Sequence, residues 1–313
     1  MTLEDAVGRH LAFLRAEKGA SPHTISAYST DFARFLAFAS ETYEIEDLDR
    51  VSRELMISFQ QAEAARGVGA RTQARRLSSL RGLFRYAMEE GWVDQNPLAD
   101  IRQPRQPRKL PRVLSTEDVE AMLEVCAQTP TPFRDLAILE VMYGGGLRVS
   151  EAISLTLDRL HLAQKALRVV GKGDRERMVP LGGPACRALE RYLDAERPRL
   201  LRKGRRDEVF LSPRGAGLTR QAIFALIRRL AARAGLDEAP SPHDLRHAFA
   251  THLVEHGADL RAVQTLLGHA NISTTEVYTH VSRSHLSRMH EAHHPRERAA
   301  ARSGRKKKGQ ETP

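Results

Sequence analysis

The sequence predicts a mainly α-helical protein of two domains, with a small β-hairpin or sheet in an α+β second domain. Residues 1–100 carry apolar side chains at helical spacing. A basic segment containing three prolines then interrupts that pattern, and such prolines favour an extended linker. Farther along, two short apolar runs flank a glycine-rich turn within 166–181, a pattern typical of a β-hairpin.

The first predicted domain, residues 1–101, is all-helical. Ser21 followed by Pro22 is typical of a helix N-cap and first helical position. The apolar residues that follow at helical spacing are Ile25, Tyr28, Phe32, Phe35 and Leu36. This segment is therefore predicted to be a helix with one buried face.

A further helix is predicted within 71–88. Its buried face should comprise Leu77, Leu80, Phe84 and Met88. Its opposite face carries Arg71, Arg75 and Arg85. The sequence has no acidic residue between Arg66 and Glu89, whereas a solvated face normally mixes charges of both signs. We therefore expect this face to contact a phosphate backbone.

The linker, residues 102–113, joins the two predicted domains. Its basic side chains include three further candidates for DNA contact, Arg105, Arg108 and Lys109. Two domains joined by such a linker could close around a duplex as a C-shaped clamp.

The second predicted domain spans residues 114–295, and a basic, flexible tail follows at 296–313. Ser115 and Asp118 form a predicted capping box. The helix that they begin should bury Val119, Met122, Leu123 and Cys126. A more fully buried helix is predicted at 133–143, the hairpin at 166–181, and further helices up to about 294.

Composition favours a polyanionic partner. Lys and Arg number 49 against 39 Asp and Glu, the pI is about 10.0, and apolar residues make up 41%, enough for packed cores. Segments 102–112 and 296–308 hold net charges of +5 and +6. Cys126 and Cys186 are expected to be reduced, and neither a signal peptide nor a membrane span is predicted, so we expect a cytoplasmic protein without membrane contact.

Four segments carry groups suited to phosphodiester chemistry. They are 144–151 with Arg148, 171–174 with Lys172, 241–247 with His243 and Arg246, and 266–280 with His269 and Tyr278. Cutting a phosphodiester needs a nucleophile, charge stabilisation and a proton for the leaving oxygen. The planar fork of Arg matches phosphate oxygens, while His and Lys suit proton transfer.

Other chemistries fit less well. His243 and His247 have the spacing of a helical zinc pair, but Arg246 lies beside them and the residue after His243 is Asp244 rather than Glu. These motifs contain no cysteine and no obvious serine nucleophile. We therefore expect catalysis without a metal or other cofactor.

The segments GGGLRVSE, VGKGDRERMVP, SPHDLRHAFATHL and LLGHANISTTEVYTHV together resemble the catalytic boxes of the tyrosine recombinase and phage integrase family. They are most similar to those of the bacterial Xer site-specific recombinases, which resolve chromosome dimers. The ending HEAHHPR resembles the XerD branch more than the XerC branch. The resemblance covers nearly the whole chain. It departs from the family at Gly145, where a bulkier residue is commoner.

The resemblance implies a catalytic set. Arg148 and Arg246 would grip the scissile phosphate, Lys172 would protonate the leaving 5′ oxygen, His243 would assist deprotonation of the tyrosine, and His269 would donate to the phosphate. Tyr278 would be the nucleophile, and Glu151 a supporting residue. Cleavage through a 3′-phosphotyrosyl bond conserves the bond energy, and strand exchange proceeds through a Holliday junction.

The implied partners are a double-stranded DNA recombination site, a second related recombinase in a tetrameric synapse, and a DNA translocase as activator. Segment 284–293 places Leu286, Met289, His290 and His293 at helical spacing, and this face could dock on its own domain. In the family, the matching segment docks on a neighbouring subunit instead. Three alternatives stay open: a mobile-element integrase, a type IB topoisomerase, and a DNA-binding protein without catalysis. The complete catalytic set argues against the last of these.

Overall fold

A computed structural model describes residues 1–102, 113–171, 176–202, 204–268 and 280–300, with the backbone alone for 280–285. The chain divides into two units, Met1–Leu110 and Pro111–Pro313. The linker candidates Arg105, Arg108 and Lys109 lie outside the described residues. Among the residues that the structure describes, every helix falls short of the length and apolar character that crossing a bilayer requires.

The N-terminal unit is all-helical, as predicted. Its helices α1 to α4 are Leu3–Ala16, Pro22–Tyr43, Arg53–Ala65 and Ala70–Glu89. The predicted cap of α2 is confirmed, since the Ser21 hydroxyl accepts the Thr24 amide at 3.2 Å. Phe32 and Phe35 lie in a core with residues of all four helices.

The predicted inward position of Met88 is wrong. Leu80, Leu83, Phe84 and Ala87 form the buried stripe of α4 at its C-terminal end. Met88 lies in the last turn, just beyond that stripe, and its exposure is 43%. The apolar pattern alone could not separate Met88 from its neighbours, because Ala87 fills the inner position with a small side chain.

The second unit is mainly helical with one small sheet, as predicted. Its described helices α5 to α13 are Thr116–Glu124, Pro132–Gly144, Val149–Ile153, Gly183–Arg191, Arg197–Leu200, Arg220–Arg233, Pro242–Glu255, Leu260–Leu267 and His280–His293. The predicted capping box of α5 is confirmed, with Ser115 and Asp118 exchanging hydrogen bonds of 3.0 and 3.1 Å. A π-helical turn, Tyr192–Glu196, connects α8 to α9.

The sheet consists of β1 (Leu160–His161), β2 (Ala166–Val170) and β3 (Glu176–Pro180), all antiparallel. The predicted hairpin is confirmed as β2 and β3, with Leu167 opposite Val179. Strand β1 was not predicted, because two residues are too few to establish an alternating pattern.

In this single chain, helix α13 packs on its own unit, and docking on a neighbouring subunit stays a prediction. Leu286 and Met289 belong to the core of the second unit, and His290 Nε2 donates to the Gly144 carbonyl at 2.6 Å. The apolar face of a short helix must be covered to persist. In the single chain, the surface of the same unit covers it.

Candidate active site

The candidate site forms around the loop between α6 and α7. Helix α6 ends at Gly144, and Arg148 precedes α7. Gly146 has φ of +60° and lies against Phe249, whose ring an added Cβ would overlap. Only glycine suits this combination of backbone angle and close packing. The loop thereby brings Arg148 back toward helix α11, which carries Arg246.

The middle glycine, Gly145, departs from the family pattern, and the structure shows how tightly it is surrounded. An added Cβ would lie 2.7 Å from Leu147 Cδ1, 3.0 Å from the Val141 carbonyl and 3.2 Å from Val179 Cγ1. A bulkier residue would therefore require these neighbours to shift.

Glu151 is the centre of the described site. Its side chain is buried, and its Oε1 lies 2.9 Å from Arg148 Nη1 while its Oε2 accepts the Arg148 amide at 2.8 Å. Arg246 Nη1 lies 3.8 Å from Oε2. The structure therefore brings together Arg148, Arg246 and Glu151, which the family resemblance had selected from distant parts of the chain.

Arg246 is buried and held by backbone. Its Nη1 donates to the Gly146 carbonyl at 2.6 Å and its Nη2 to the Leu267 carbonyl at 2.5 Å. Burial, followed by the nearby charge of Arg148, lowers the pKa of Arg246 to about 10. The guanidinium therefore remains charged at neutral pH. Arg148 is more accessible, with 41% of its side chain exposed.

Arg177 on β3 completes the cluster, and sequence reasoning missed it. Its Nη1 and Nη2 bind the two oxygens of Glu151 at 2.8 and 3.0 Å, and its Nε donates to the Leu266 carbonyl at 3.1 Å. The available signal was its strand position: Arg177 is two residues from buried Val179 and therefore points to the same, inner face. A charged residue there indicates a buried partner.

The net charge of this cluster favours the binding of an anion. Burial by itself would raise the pKa of the Glu151 carboxyl, but hydrogen bonds and charges from Arg177 and Arg148 outweigh burial, so the pKa is lowered. Glu151 thus stays ionised and neutralises one of the three arginines. Two positive charges remain in excess, and guanidinium groups bind phosphate oxygens well.

The other predicted catalytic residues are distributed as follows. His243 is exposed in the first turn of α11, which begins at Pro242 with Ser241 and Asp244 as a capping box. Lys172, His269 and Tyr278 lie outside the described residues. Strands β2 and β3 flank Lys172, and α12 ends two residues before His269.

The predicted DNA-binding arginines of the N-terminal unit lie on α4. Arg71 and Arg85 are exposed. Arg75 is engaged with α2, because its Nη1 lies 2.5 Å from Asp31 Oδ2 and 3.0 Å from the Ala27 carbonyl. Arg76 also pairs with Asp31 and with Glu63. The face is less purely basic than the sequence of α4 alone indicates, since acids from α2 and α3 lie against it.

Three buried histidines of the second unit, His252, His290 and His294, pack behind the glycine loop. Tyr143 Oη hydrogen-bonds His252 Nδ1 at 2.8 Å, and the rings of His290 and His294 stack at 4.8 Å. Burial, opposed by weaker neighbouring effects, lowers the pKa of His252. These residues pack as core side chains.

Comparison with known proteins gives two family matches. The phage integrase family matches residues 112–285, and the phage integrase N-terminal SAM-like domain matches residues 7–91. The tyrosine recombinase XerD of Listeria monocytogenes serovar 1/2a is 43% identical over 94% of this chain and 100% of its own length. The tyrosine recombinase XerD of Pseudomonas putida is 44% identical over 93% of this chain and 97% of its own.

Among solved structures, the fold resembles that of a lambda integrase tetramer bound to a Holliday junction. The TM-score is 0.68 at 19% identity, and the match covers 88% of this chain and 79% of that one. At this identity the likeness concerns the fold alone.

Proposed function

The chain belongs to the phage integrase family of tyrosine recombinases, and from that membership we propose that it is an Xer-type site-specific recombinase. The Glu151-centred arginine cluster carries the proposal, because it leaves Arg148 and Arg246 with excess positive charge, and the Arg148 side chain is 41% exposed. Cleavage of a phosphodiester needs such charge around the phosphorane.

In the proposed reaction, the Tyr278 hydroxyl attacks the scissile phosphorus and its proton leaves with help from His243. The bond from phosphorus to the 5′ oxygen breaks, and Lys172 supplies the proton that makes a free 5′-hydroxyl. Arg148, Arg246 and His269 stabilise the phosphorane. A 5′-hydroxyl from a partner duplex then attacks the phosphotyrosine, so that one phosphoester is exchanged for another and no nucleotide hydrolysis is needed.

The proposed biological role is resolution of chromosome dimers in the cytoplasm. The identity of 43% to a tyrosine recombinase XerD over nearly the whole chain supports this role over mobile-element integration. It also agrees with the predicted resemblance to the XerD branch. We propose a synapse of four subunits, with a second related recombinase as partner and a DNA translocase as activator.

The nucleophile is tested by Tyr278→Phe, with Tyr43→Phe as control because Tyr43 is an exposed tyrosine of the other unit. The substrate is a duplex selected for binding from a randomised pool and nicked just 3′ of the cleavage position, so that the short strand is lost. We expect wild type and the control to form a denaturation-resistant protein–DNA adduct. Tyr278→Phe should bind equally well and form none, because it lacks only the attacking oxygen; an adduct with this variant would refute the assignment.

We also expect formation of the covalent adduct to need no metal ion. Because arginines supply the positive charge in this mechanism, adduct formation on the same nicked duplex should proceed at an unchanged rate in excess EDTA. Loss of the adduct in EDTA, with recovery on adding zinc or magnesium, would contradict the mechanism.

A further inference from the structure

We propose that Arg177 is a positioning residue for strand cleavage. It binds both oxygens of Glu151, so that Arg246 stays beyond hydrogen-bond distance of that carboxylate, Arg148 shares only Oε1 through its side chain, and the positive charge of both remains available to the scissile phosphate. This inference rests on the proposed function, since it assigns a task to Arg177 within the same reaction.

The geometry around Glu151 supports this role. Arg177 takes both carboxylate oxygens through a bidentate fork of 2.8 and 3.0 Å. Arg246 remains 3.8 Å away from the nearer oxygen, beyond hydrogen-bond distance, and binds backbone carbonyls instead. Arg177 therefore occupies the carboxylate sites that Arg246 would otherwise fill.

The charge balance around Glu151 supports the same role. A buried ionised carboxylate must be compensated by whatever cation is near. Without Arg177, the charge of Glu151 would be balanced by Arg148 and Arg246 alone, and their combined excess would fall from two positive charges to one. In a buried setting, this loss weakens the stabilisation of a phosphorane more than it would in water.

Arg177 also connects three elements of the second unit. Arg177 Nε binds the Leu266 carbonyl, and Arg246 Nη2 binds the adjacent Leu267 carbonyl, so two arginines hold the C-terminal carbonyls of α12. A Cβ added at Gly268 would lie 3.1 Å from Arg177 Cδ, which shows how closely this end is packed. One side chain thus joins β3, the start of α7 and the end of α12.

Direct contact between Arg177 and DNA is a poorer interpretation. The residue is only 9% exposed. Its Nε, Nη1 and Nη2 each donate to a protein oxygen. The guanidinium is committed to the protein, so any effect on cleavage must pass through its partners.

The test compares Arg177→Met with Arg168→Met on the full-length protein. Arg168 is on the neighbouring strand, but its side chain is 39% exposed and its ion pairs with Asp158 and Glu176 are at the surface. On the nicked duplex, Arg177→Met should form the covalent adduct roughly 100-fold more slowly, the scale of losing one charge-stabilising group. Duplex affinity should stay within about threefold, because backbone contacts elsewhere dominate it, and Arg168→Met should behave as wild type.

A double-variant cycle separates positioning from ordinary packing. If Arg177 acts through Glu151, then adding Arg177→Met to a Glu151→Gln protein should slow cleavage by less than about threefold. In that background no carboxylate remains for Arg177 to pair with. A loss near 100-fold in that background would overturn the proposal, as would a folded Arg177→Met protein that cleaves at the wild-type rate.

Should Arg177→Met fail to fold by circular dichroism, the comparison of Glu151→Gln with Glu151→Gln/Arg177→Met carries the decision. A double variant that is unfolded, or much slower than Glu151→Gln, overturns the proposal. A wild-type protein that forms no adduct at all refutes the proposed function instead.

Discussion

At the scale of single residues, the arginines around Glu151 are not interchangeable with lysine. Arg177 uses both ends of its planar fork on one carboxylate, and Arg246 uses both Nη atoms on two carbonyls from different segments. A lysine carries the same charge but lacks this flat, two-pronged geometry. Replacing either arginine therefore leaves a buried acceptor without its partner, which costs more than the lost contact itself.

His10 gives a pH dependence to the N-terminal unit. It lies against the rings of Phe32 and Tyr86, and burial, with a smaller effect of Arg85, lowers its pKa to about 4. Since the folded pKa is below the unfolded value of 6.5, the free energy of unfolding should fall as pH drops from about 6.5 toward 4. The full loss should be about 3 kcal/mol.

Urea unfolding, followed by fluorescence of the single tryptophan, Trp92, measures this loss because Trp92 is in the same unit. His10→Leu should lose much less stability between pH 7 and pH 5 than wild type. The exposed His23, replaced by Leu, is the control and should leave the pH dependence intact. An unchanged pH dependence in His10→Leu would show that other groups are responsible.

At the scale of elements, sequence predicted what local side chains determine. Helices α2 and α5 begin at hydroxyl caps that are visible in the sequence, and the hairpin has a glycine-rich turn between apolar strands. What could not be predicted depends on partners distant in sequence. Arg177 faces inward because its carboxylate partner, Glu151, lies 26 residues away in the sequence.

In the candidate site, too, some features could be predicted from the sequence and others could not. Arg148, Glu151 and Arg246 could be selected because each falls in a motif of the family, and the structure places them together. Their catalytic roles, like those of Lys172, His269 and Tyr278, stay predictions. The ion pair between Arg75 and Asp31 could not be predicted from the sequence, since Asp31 lies on a different helix.

The glycine loop before Arg148 can be tested with a matched pair of substitutions. Gly146→Ala should destabilise the protein by at least about 2 kcal/mol, because it adds overlap with Phe249 to the strain of a left-handed backbone. Gly235 has φ of +75° with open space around its Cβ position, so Gly235→Ala should cost only about 1 kcal/mol.

Thermal unfolding measures the difference between these variants, and adduct formation on the nicked duplex should decline for Gly146→Ala alone. Equal destabilisation by the two substitutions would show that Phe249 yields easily and that the loop is not fixed by packing.

At the scale of the whole molecule, the apolar cores and the excess positive charge lie in different parts of the chain. Each unit has its own apolar core, one built on Phe32 and Phe35 and the other including Tyr143 and Phe249. Much of the excess positive charge belongs instead to segments 102–112 and 296–308, of +5 and +6 in a chain of +10. Stability and attraction to a polyanion can therefore be altered separately by mutation.

Removal of residues 303–313 tests the contribution of the basic tail, whose residues from 301 onward lie outside the described residues. The deletion takes away Arg305, Lys306, Lys307 and Lys308. Each lost phosphate contact should reduce the slope of log affinity against log salt by about 0.9. Sequence preference should be unchanged, because backbone contacts carry no base information. Identical slopes before and after deletion would show that the tail does not touch DNA.

The two ends of the Gly144–Gly146 loop are held by different helices. His290 of α13 binds the Gly144 carbonyl, and Arg246 of α11 binds the Gly146 carbonyl, with Arg148 two residues farther on. Where two contacts share one short backbone segment, their free energies are coupled, and such coupling is reciprocal. If docking of α13 raises the affinity of Arg148 and Arg246 for an anion by some factor, then a bound anion raises the affinity of α13 for its docking surface by the same factor. The C-terminal helix and the phosphate would then act as effectors of one another.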